Sequence, residues 1–512
     1  MSDLPQESLL ARTARGAGWV VAWRLATRML GLCSTLVLVR LLSPEDFGLV
    51  ALAAAFVLTL DVCLTIGVED QIVRAKDPSP ALYETAFTFN LLRGLLVAVL
   101  LVLTAAPAAA FFGDERLTSI FYALAVSAAA SGATSIGIVD FRRKLQFEKE
   151  FQLQLLPRLA GIAVTLLGAF LLRSHWALVL GILTSRLGVV AMSHLLHPWR
   201  PRLSLVAWRD LAGVSGWSWA IGLAAVLRDR VDSLAIGRLL GPARLGVYAV
   251  GVEVAILPTS EIVDPICRAC MPGFAATLRG GDMAALCDAY LRIVALVALL
   301  TLPAGIGISL IAGPVVALAF GPLWADAAPI ITILGVAYTV TLFGNVSAAL
   351  LHARAMLRSI LALTVGAAVL RMVLLGALIP PFGLAGAGLA IGIALVVEHA
   401  VLVTIALRLL RLSAIRFIAS VMRPAMATAI MAAALWLPGL AWGPLSGSAG
   451  EAARMLAVAV PLGMLVYTGA LAALWYLGGR PAGAEADMLN LLRRVALRIM
   501  PRPWRGAPTR GT

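Results

Sequence analysis

The chain has 512 residues, of which 61% are hydrophobic and 13% charged, with a formal net charge of +14 and a mean hydropathy of +0.94. No soluble two- or three-domain protein has this composition, so the sequence reads as a polytopic membrane protein. The basic surplus follows from membrane topology, as shown below, and requires no nucleic acid.

The first residues, MSDLPQESLLARTARG, carry acids and precede no small-residue cleavage site. The first span is therefore expected to act as its own insertion signal and to be retained. Apolar runs of spanning length predict an all-α protein of about fourteen membrane helices: 17–39, 47–68, 85–110, 118–139, 151–172, 176–197, 213–237, 247–270, 289–312, 327–350, 359–379, 383–407, 419–439 and 455–478. With the N-terminus in the cytoplasm, the loops on that side hold most of the 41 basic residues, among them Arg142, Arg143, Lys144, Lys149, Arg200, Arg202 and Arg209. The opposite loops hold Arg40, Arg116, Arg173, Arg238, Arg244 and Arg454. This asymmetry predicts cytoplasmic N- and C-termini and an even number of spans.

The other arginines, Arg24, Arg28, Arg93, Arg158, Arg186, Arg228, Arg230 and Arg371, fall inside predicted spans. Each costs about 2.5–3.5 kcal/mol if left in lipid, so they are expected to line water or meet acids. Asp61, Asp229, Asp232, Glu253, Glu261 and Glu398 are the acids available. Arg228 and Asp232 stand one turn apart and are expected to form a structural ion pair in which Asp229 shares. Arg24 and Arg28 share one helix face with no acid on that helix, which leaves a positive excess suited to an anion. Arg93, next to Asn90, either reaches the same space or extends to the cytoplasmic edge.

A duplication organises the chain. The stretch from Ala17 to Ala53 returns from Ser215 to Gly251, placing Trp19 on Trp217, Arg40 on Arg238, Pro44 on Pro242 and Gly48 on Gly246. Leu166-Leu167-Gly168-Ala169 likewise returns as Leu374-Leu375-Gly376-Ala377. Because the second copy begins after six spans, the two copies enter the membrane from the same side as parallel repeats, and a substrate site is expected between them. The predicted organisation is a six-helix lobe over 1–199, a second over 200–411, two accessory spans over 412–480 and a basic amphipathic cytoplasmic tail over 481–512. In that tail Met488, Leu491, Leu492, Val495 and Ile499 share a face, as expected of a helix lying on an anionic membrane surface. Pro258, between Glu253 and Glu261, is expected to interrupt its helix.

Motifs of other chemistries are missing. There is no phosphate-binding G-x-x-x-x-G-K-[ST] loop, no H-E-x-x-H pair and no nucleophile elbow, and Cys267-x-x-Cys270 lacks a second ligand pair. No cofactor or metal is expected, and the five cysteines imply no disulfide framework.

At RLLSPEDFG (Arg40 to Gly48), GRLLGPARLGVY (Gly237 to Tyr248) and DFRRKLQFEKEFQLQ (Asp140 to Gln154), the chain resembles the polysaccharide-exporting flippases of bacterial envelopes. These are the Wzx-like branch of the multidrug/oligosaccharidyl-lipid/polysaccharide exporter superfamily, and the likeness runs over roughly residues 12–410. It implies a V-shaped pair of six-helix lobes in the inner membrane that carries an undecaprenyl-diphosphate-linked oligosaccharide to the periplasmic leaflet. The substrate belongs to an O-antigen, exopolysaccharide or capsule repeat unit, and the protein is then no enzyme. The resemblance also implies a cationic cavity, for which Arg24, Arg28, Arg93, Arg228, Arg230 and Arg371 are the candidate substrate ligands. Glu253, Glu398 and His399 are the candidates for binding a driving ion. Partners would be the lipid-linked oligosaccharide, membrane lipids and the polysaccharide polymerase and export machinery.

Two alternatives stand beside this reading. A drug or cation antiporter of the same superfamily would need an acid-lined cavity, whereas basic residues outnumber acids within the spans. A membrane-embedded glycosyltransferase or polymerase would need a catalytic acid on a large outer loop, and the outer loops are short.

Overall fold

A computed structural model describes residues 26–489 apart from 66, 76, 145, 212–215, 443–447 and 481–482. Arg24 and most of the basic tail lie outside the described residues. The chain is helical throughout, with no strand among the described residues. In chain order the helices are α1 (26–41), α2 (Pro44–Cys63), α3 (Val68–Arg74), α4 (Pro80–Phe112), α5 (Arg116–Gly132), α6 (Val139–Arg143), α7 (Phe147–Leu172), α8 (Trp176–Leu196) and α9 (Trp208–Leu211). There follow α10 (Gly216–Leu240), α11 (Pro242–Ala255), α12 (Leu257–Gly280), α13 (Met283–Leu310), α14 (Ala312–Ala319), α15 (Ala327–Ala353), α16 (Leu357–Leu410), α17 (Ala414–Trp436) and α18 (Ala449–Leu477).

Among the described residues nine helices are long and apolar enough to cross a membrane, or up to eleven if each of two bent pairs is one span. Fourteen crossings are consistent with this. α16 is long enough for two spans, α10 carries too many charges to be scored as apolar, and α1 is only partly described. The predicted break between 379 and 383 is present: α16 joins two helices across a kink, and the turn between the two spans is made by Gly383 at φ 56°, ψ −132°, a conformation open to glycine. Pro380 and Pro381, which have no backbone N–H to donate, stand just before it. Pro258 behaves as expected: α11 stops at Ala255 and α12 opens with this proline in its first turn.

By contacts the chain divides into two compact units that cut across the repeats. Unit 1 comprises residues 1–254, 315–330 and 357–394, and unit 2 comprises 255–314, 331–356 and 395–512.

Unit 1 owes its shape to the short elbows of the duplication. Ser43 caps α2 by accepting the Asp46 N–H at 3.2 Å, while Asp46 accepts the Ser43 N–H at 3.1 Å. This reciprocal box, followed by Pro44, starts the helix abruptly. In the second copy Gly241, at φ 84°, makes the turn before Pro242. The two elbows then pack on each other. A Cβ on Gly48 would lie 1.7 Å from the Pro242 carbonyl oxygen, and one on Gly246 would lie 1.8 Å from that of Pro44. Arg40 donates to the carbonyls of Leu318 and, at 3.0 Å, of Ala319, while its counterpart Arg238 lies over the Phe111 ring at 5.1 Å. Buried Trp324 donates its indole N–H to Val39 O at 2.9 Å and meets Phe47 edge-on. Each copy also ties the start of its second span to the start of its fourth by an ion pair, Glu45 with Arg116 and Arg244 with Asp326. This end of unit 1, opposite the basic loops, is closed.

In unit 2, α17 and α18 pack on α13 through Leu310, Ala427, Met431, Leu435, Ala459 and Tyr467. The Tyr467 hydroxyl donates to Leu299 O at 2.6 Å. Leu437, Leu465 and Leu477 remain exposed for lipid. Residues 484–489 are helical, with buried Glu485 paired to Arg423 of α17 at 3.3 Å, so the start of the tail is tied to the accessory spans.

Candidate functional site

Unit 1 gathers most of the charged residues found inside spans, and it does so in three groups. The first joins α1, α7 and α11. Arg28 and Arg158 both act electrostatically on Glu253, which is partly buried. Arg158 reaches α1, where a Cβ on Gly31 would lie 3.1 Å from its Nη2. The positive charge expected around Arg28 is thus offset in part by Glu253. Arg158 was not among the candidate ligands. Its signals were an arginine inside a span and a glycine one turn after Arg28.

The second group joins α10, α11 and α16, and here the expected partners change. Arg228 turns to its neighbour Asp229, with Nε 2.8 Å from Oδ1. Asp232 is not the partner of Arg228; it is buried and accepts the Tyr248 hydroxyl at 2.6 Å and the Ser233 N–H at 2.7 Å. The predicted Arg228–Asp232 pair is corrected accordingly: Tyr248, from the adjacent helix, satisfies Asp232 from a distance in sequence that spacing along α10 does not reveal. Arg371, 6% exposed, donates to Arg228 O at 3.3 Å and lies 3.8 Å from Asp229 Oδ1. Arg230 is partly buried and takes no carboxylate among the described residues. Among the described residues three arginines therefore stand with two aspartates.

The third group lies at the other end of α2. Arg93 Nη1 pairs with Asp61 and donates to Thr65 Oγ1 at 3.1 Å, so its charge is compensated within the protein. A cavity of about 350 Å³ opens beside this pair.

Glu398 and His399 belong to unit 2, both buried. His399 Nδ1 is 2.8 Å from Leu395 O, and the ring lies against Gly344. Among the described residues no cluster of three or more His, Cys, Asp or Glu could hold a metal ion.

Among the described residues, guanidinium groups outnumber carboxylates in the first two groups, inside membrane helices where charge is costly to leave in lipid. Comparison with known proteins fits this geometry. The profile of the family described as "Polysaccharide biosynthesis protein" matches residues 37–329. The lipopolysaccharide biosynthesis protein WzxC of Escherichia coli K12 is 24% identical over 68% of this chain and 71% of its own length. The succinoglycan biosynthesis transport protein ExoT of Rhizobium meliloti is 23% identical over 62% of this chain and 65% of its own. Among solved structures, the lipid II flippase MurJ in its inward closed conformation superposes with a TM-score of 0.71 at 12% identity, covering 89% of this chain and 98% of its own. An inward-facing multidrug resistance MATE transporter gives a TM-score of 0.59 at 16% identity, covering 76% and 98%. These two likenesses concern the fold.

Proposed function

The chain belongs to the polysaccharide biosynthesis protein family, and from that premise we propose that it is a flippase moving a polyprenyl-diphosphate-linked oligosaccharide from the cytoplasmic to the periplasmic leaflet of the bacterial inner membrane. The observation that carries this reading is the set of arginines inside the spans of unit 1, where among the described residues Arg28 and Arg158 act on Glu253 and Arg228, Arg230 and Arg371 stand with Asp229 and Asp232. A drug or cation antiporter would require the opposite sign.

In this mechanism the closed elbows form the periplasmic seal, so the substrate enters from the cytoplasmic side. Its diphosphate replaces water with guanidinium groups, which keep their charge when desolvated and hold phosphate oxygens in pairs. Glu253 competes with the diphosphate for Arg28 and Arg158. A proton or cation that neutralises Glu253 strengthens phosphate binding, and its departure favours release. Glu398 and His399 in unit 2 are the other candidates for coupling. Arg24, four residues before Arg28 in the sequence and outside the described residues, is the further candidate cation. The basic residues of the loops around 142–149 and 200–209 support cytoplasmic termini, within reach of the machinery that builds the glycan, while a polymerase and export machinery take the product on the other side.

The test is complementation of glycan export in a strain lacking the gene, with membrane-fraction blots to verify insertion. Arg28→Ala and Arg24→Ala should abolish export at normal protein level, and Arg28→Lys should restore it only in part. Full export from the Arg24→Ala, Arg28→Ala double variant would defeat the arginine mechanism.

A further inference from the structure

The cavity beside Arg93 is chemically unlike the arginine groups. Its volume of about 350 Å³ is at the small end of the roughly 300–1,000 Å³ typical of small-molecule sites, which suits a sugar ring rather than a whole repeat unit. Asp61, Thr65, Glu69, Phe89, Asn90 and Arg93 supply its functional walls. We propose that this pocket, between the cytoplasmic ends of α2 and α4, is a glycan subsite that receives an uncharged sugar hydroxyl face of the lipid-linked substrate. The proposal rests on the flippase reading and assigns a different part of the substrate to a different place.

The polar groups select the ligand. Arg93 is spent on Asp61, and the wall adds a second acid, Glu69. The cation nearest Glu69, Arg142 at 3.9 Å, is held at 2.8 Å by Glu150. Among the described residues a diphosphate would therefore meet carboxylates with no cation to spare. A bare metal ion would have to displace the guanidinium from Asp61. Neighbouring sugar hydroxyls meet neither obstacle. Asp61 presents its second oxygen as an acceptor, since its side chain makes no contact but the Arg93 pair among the described residues. The Asn90 amide, which makes no hydrogen bond among the described residues, offers both a donor and an acceptor. Phe89 supplies an apolar face for ring C–H groups. The pair also fixes the receptor in advance: Thr65 donates to Asp61 O at 2.7 Å and accepts from Arg93, so neither charged side chain must be reoriented when a sugar arrives.

The experiment measures binding to the full-length protein in nanodiscs with two probes: synthetic polyprenyl diphosphate, and the lipid-linked oligosaccharide extracted from the source strain. Asn90→Leu leaves the Asp61–Arg93 pair untouched and should weaken binding of the glycan-bearing lipid about tenfold, or about 1.4 kcal/mol. Binding of bare polyprenyl diphosphate should not change. Asp61→Ala with Arg93→Ala removes both charges together and should give the same selective loss, with thermal unfolding as the check on folding. Arg28→Ala should weaken both probes. Equal effects of Asn90→Leu on the two probes, or none on either, would overturn the subsite while leaving the flippase reading intact. Failure of the unsubstituted protein to bind either probe would overturn that reading and the subsite with it.

Discussion

Gly48 and Gly246, equivalent positions of the duplication, touch the partner copy's elbow reciprocally, each with no room for a single methyl group between it and a proline carbonyl. Overpacking of this kind costs about 1–3 kcal/mol, a shift of roughly 5- to 150-fold in an equilibrium between closed and open seals. Gly48→Ala and Gly246→Ala should therefore favour the open state. Leu245, fully buried beside this contact, is the reporter. A Leu245→Cys variant should be labelled poorly by an impermeant thiol reagent outside intact cells and faster when Gly48→Ala is added. Unchanged labelling would show that the contact does not gate access.

Arg40 and Arg238 extend the same seal, each reaching the other copy, but by different means: carbonyl oxygens for Arg40 and a ring face for Arg238. Hydrogen bonds to a charged group contribute about 1.5–3 kcal/mol, and an exposed cation–π contact about 0.5–1 kcal/mol. Arg40→Ala should accordingly raise labelling of the same cysteine more than Arg238→Ala. Equal effects would mean that the hydrogen bonds are not maintained in the membrane.

The corrected pairing around α10 changes the double variant that tests it. Arg228→Ala alone should lower protein level, because it leaves Asp229 with only the more distant Arg371. Joint replacement of Arg228 and Asp229 by alanine should restore protein level without restoring export. Joint replacement of Arg228 and Asp232 should restore neither, since Asp232 answers to Tyr248. Recovery of export in the first double variant would reduce Arg228 to a structural role.

His197, just beyond α8, accepts the Trp199 N–H at Nδ1 (3.2 Å) and lies edge-on to Phe141. Burial pushes its pKa below the usual histidine value; Lys144 and Lys149 add to this and Asp140 opposes it. With the folded value depressed, the stabilising contribution is complete above the unfolded value of about 6.5 and is lost as pH falls through the folded one. Hydrogen exchange in residues 136–143 and 197–208, corrected for intrinsic rates, should therefore rise on going from about pH 7.5 to about pH 5.5. His197→Gln should remove most of that difference. An equal rise in the variant would show that His197 is not the titrating group, since Asp140, despite its burial, is held below the usual carboxylate range by Lys144 and Tyr83 and stays ionised over this interval.

The repeats and the spans were legible because hydrophobic length, Pro44/Pro242 and Gly48/Gly246 are local marks of a membrane helix and its elbow. The arginine excess was legible for the same reason: charge inside an apolar run needs no partner to be noticed. What the sequence withheld was who answers each charge. Asp61 meets Arg93 across a helix hairpin, Tyr248 takes Asp232 from the next helix, and Arg158 arrives at Arg28's helix from α7. Spacing along one helix favours partners one turn apart, but in a bundle the facing helix offers better geometry, and it decided in each of these cases. The break within α16 was legible too, since Pro380 and Pro381 mark it in one dimension and Gly383 makes the turn just after them.

The ion pairs that tie each copy's second span to its fourth have opposite polarity, acid to base in the first copy and base to acid in the second. During synthesis the first copy is complete in the bilayer while the second is still emerging, and two similar helix sets compete for the same neighbours. A crossed assembly would set Glu45 against Asp326 and Arg116 against Arg244, like charges that cost free energy wherever they meet. The reversal thus marks each helix hairpin with the identity of its own half. A duplicated chain carries the hazard that its halves exchange parts, and here two ion pairs let each half assemble with itself before the two are joined at their glycines.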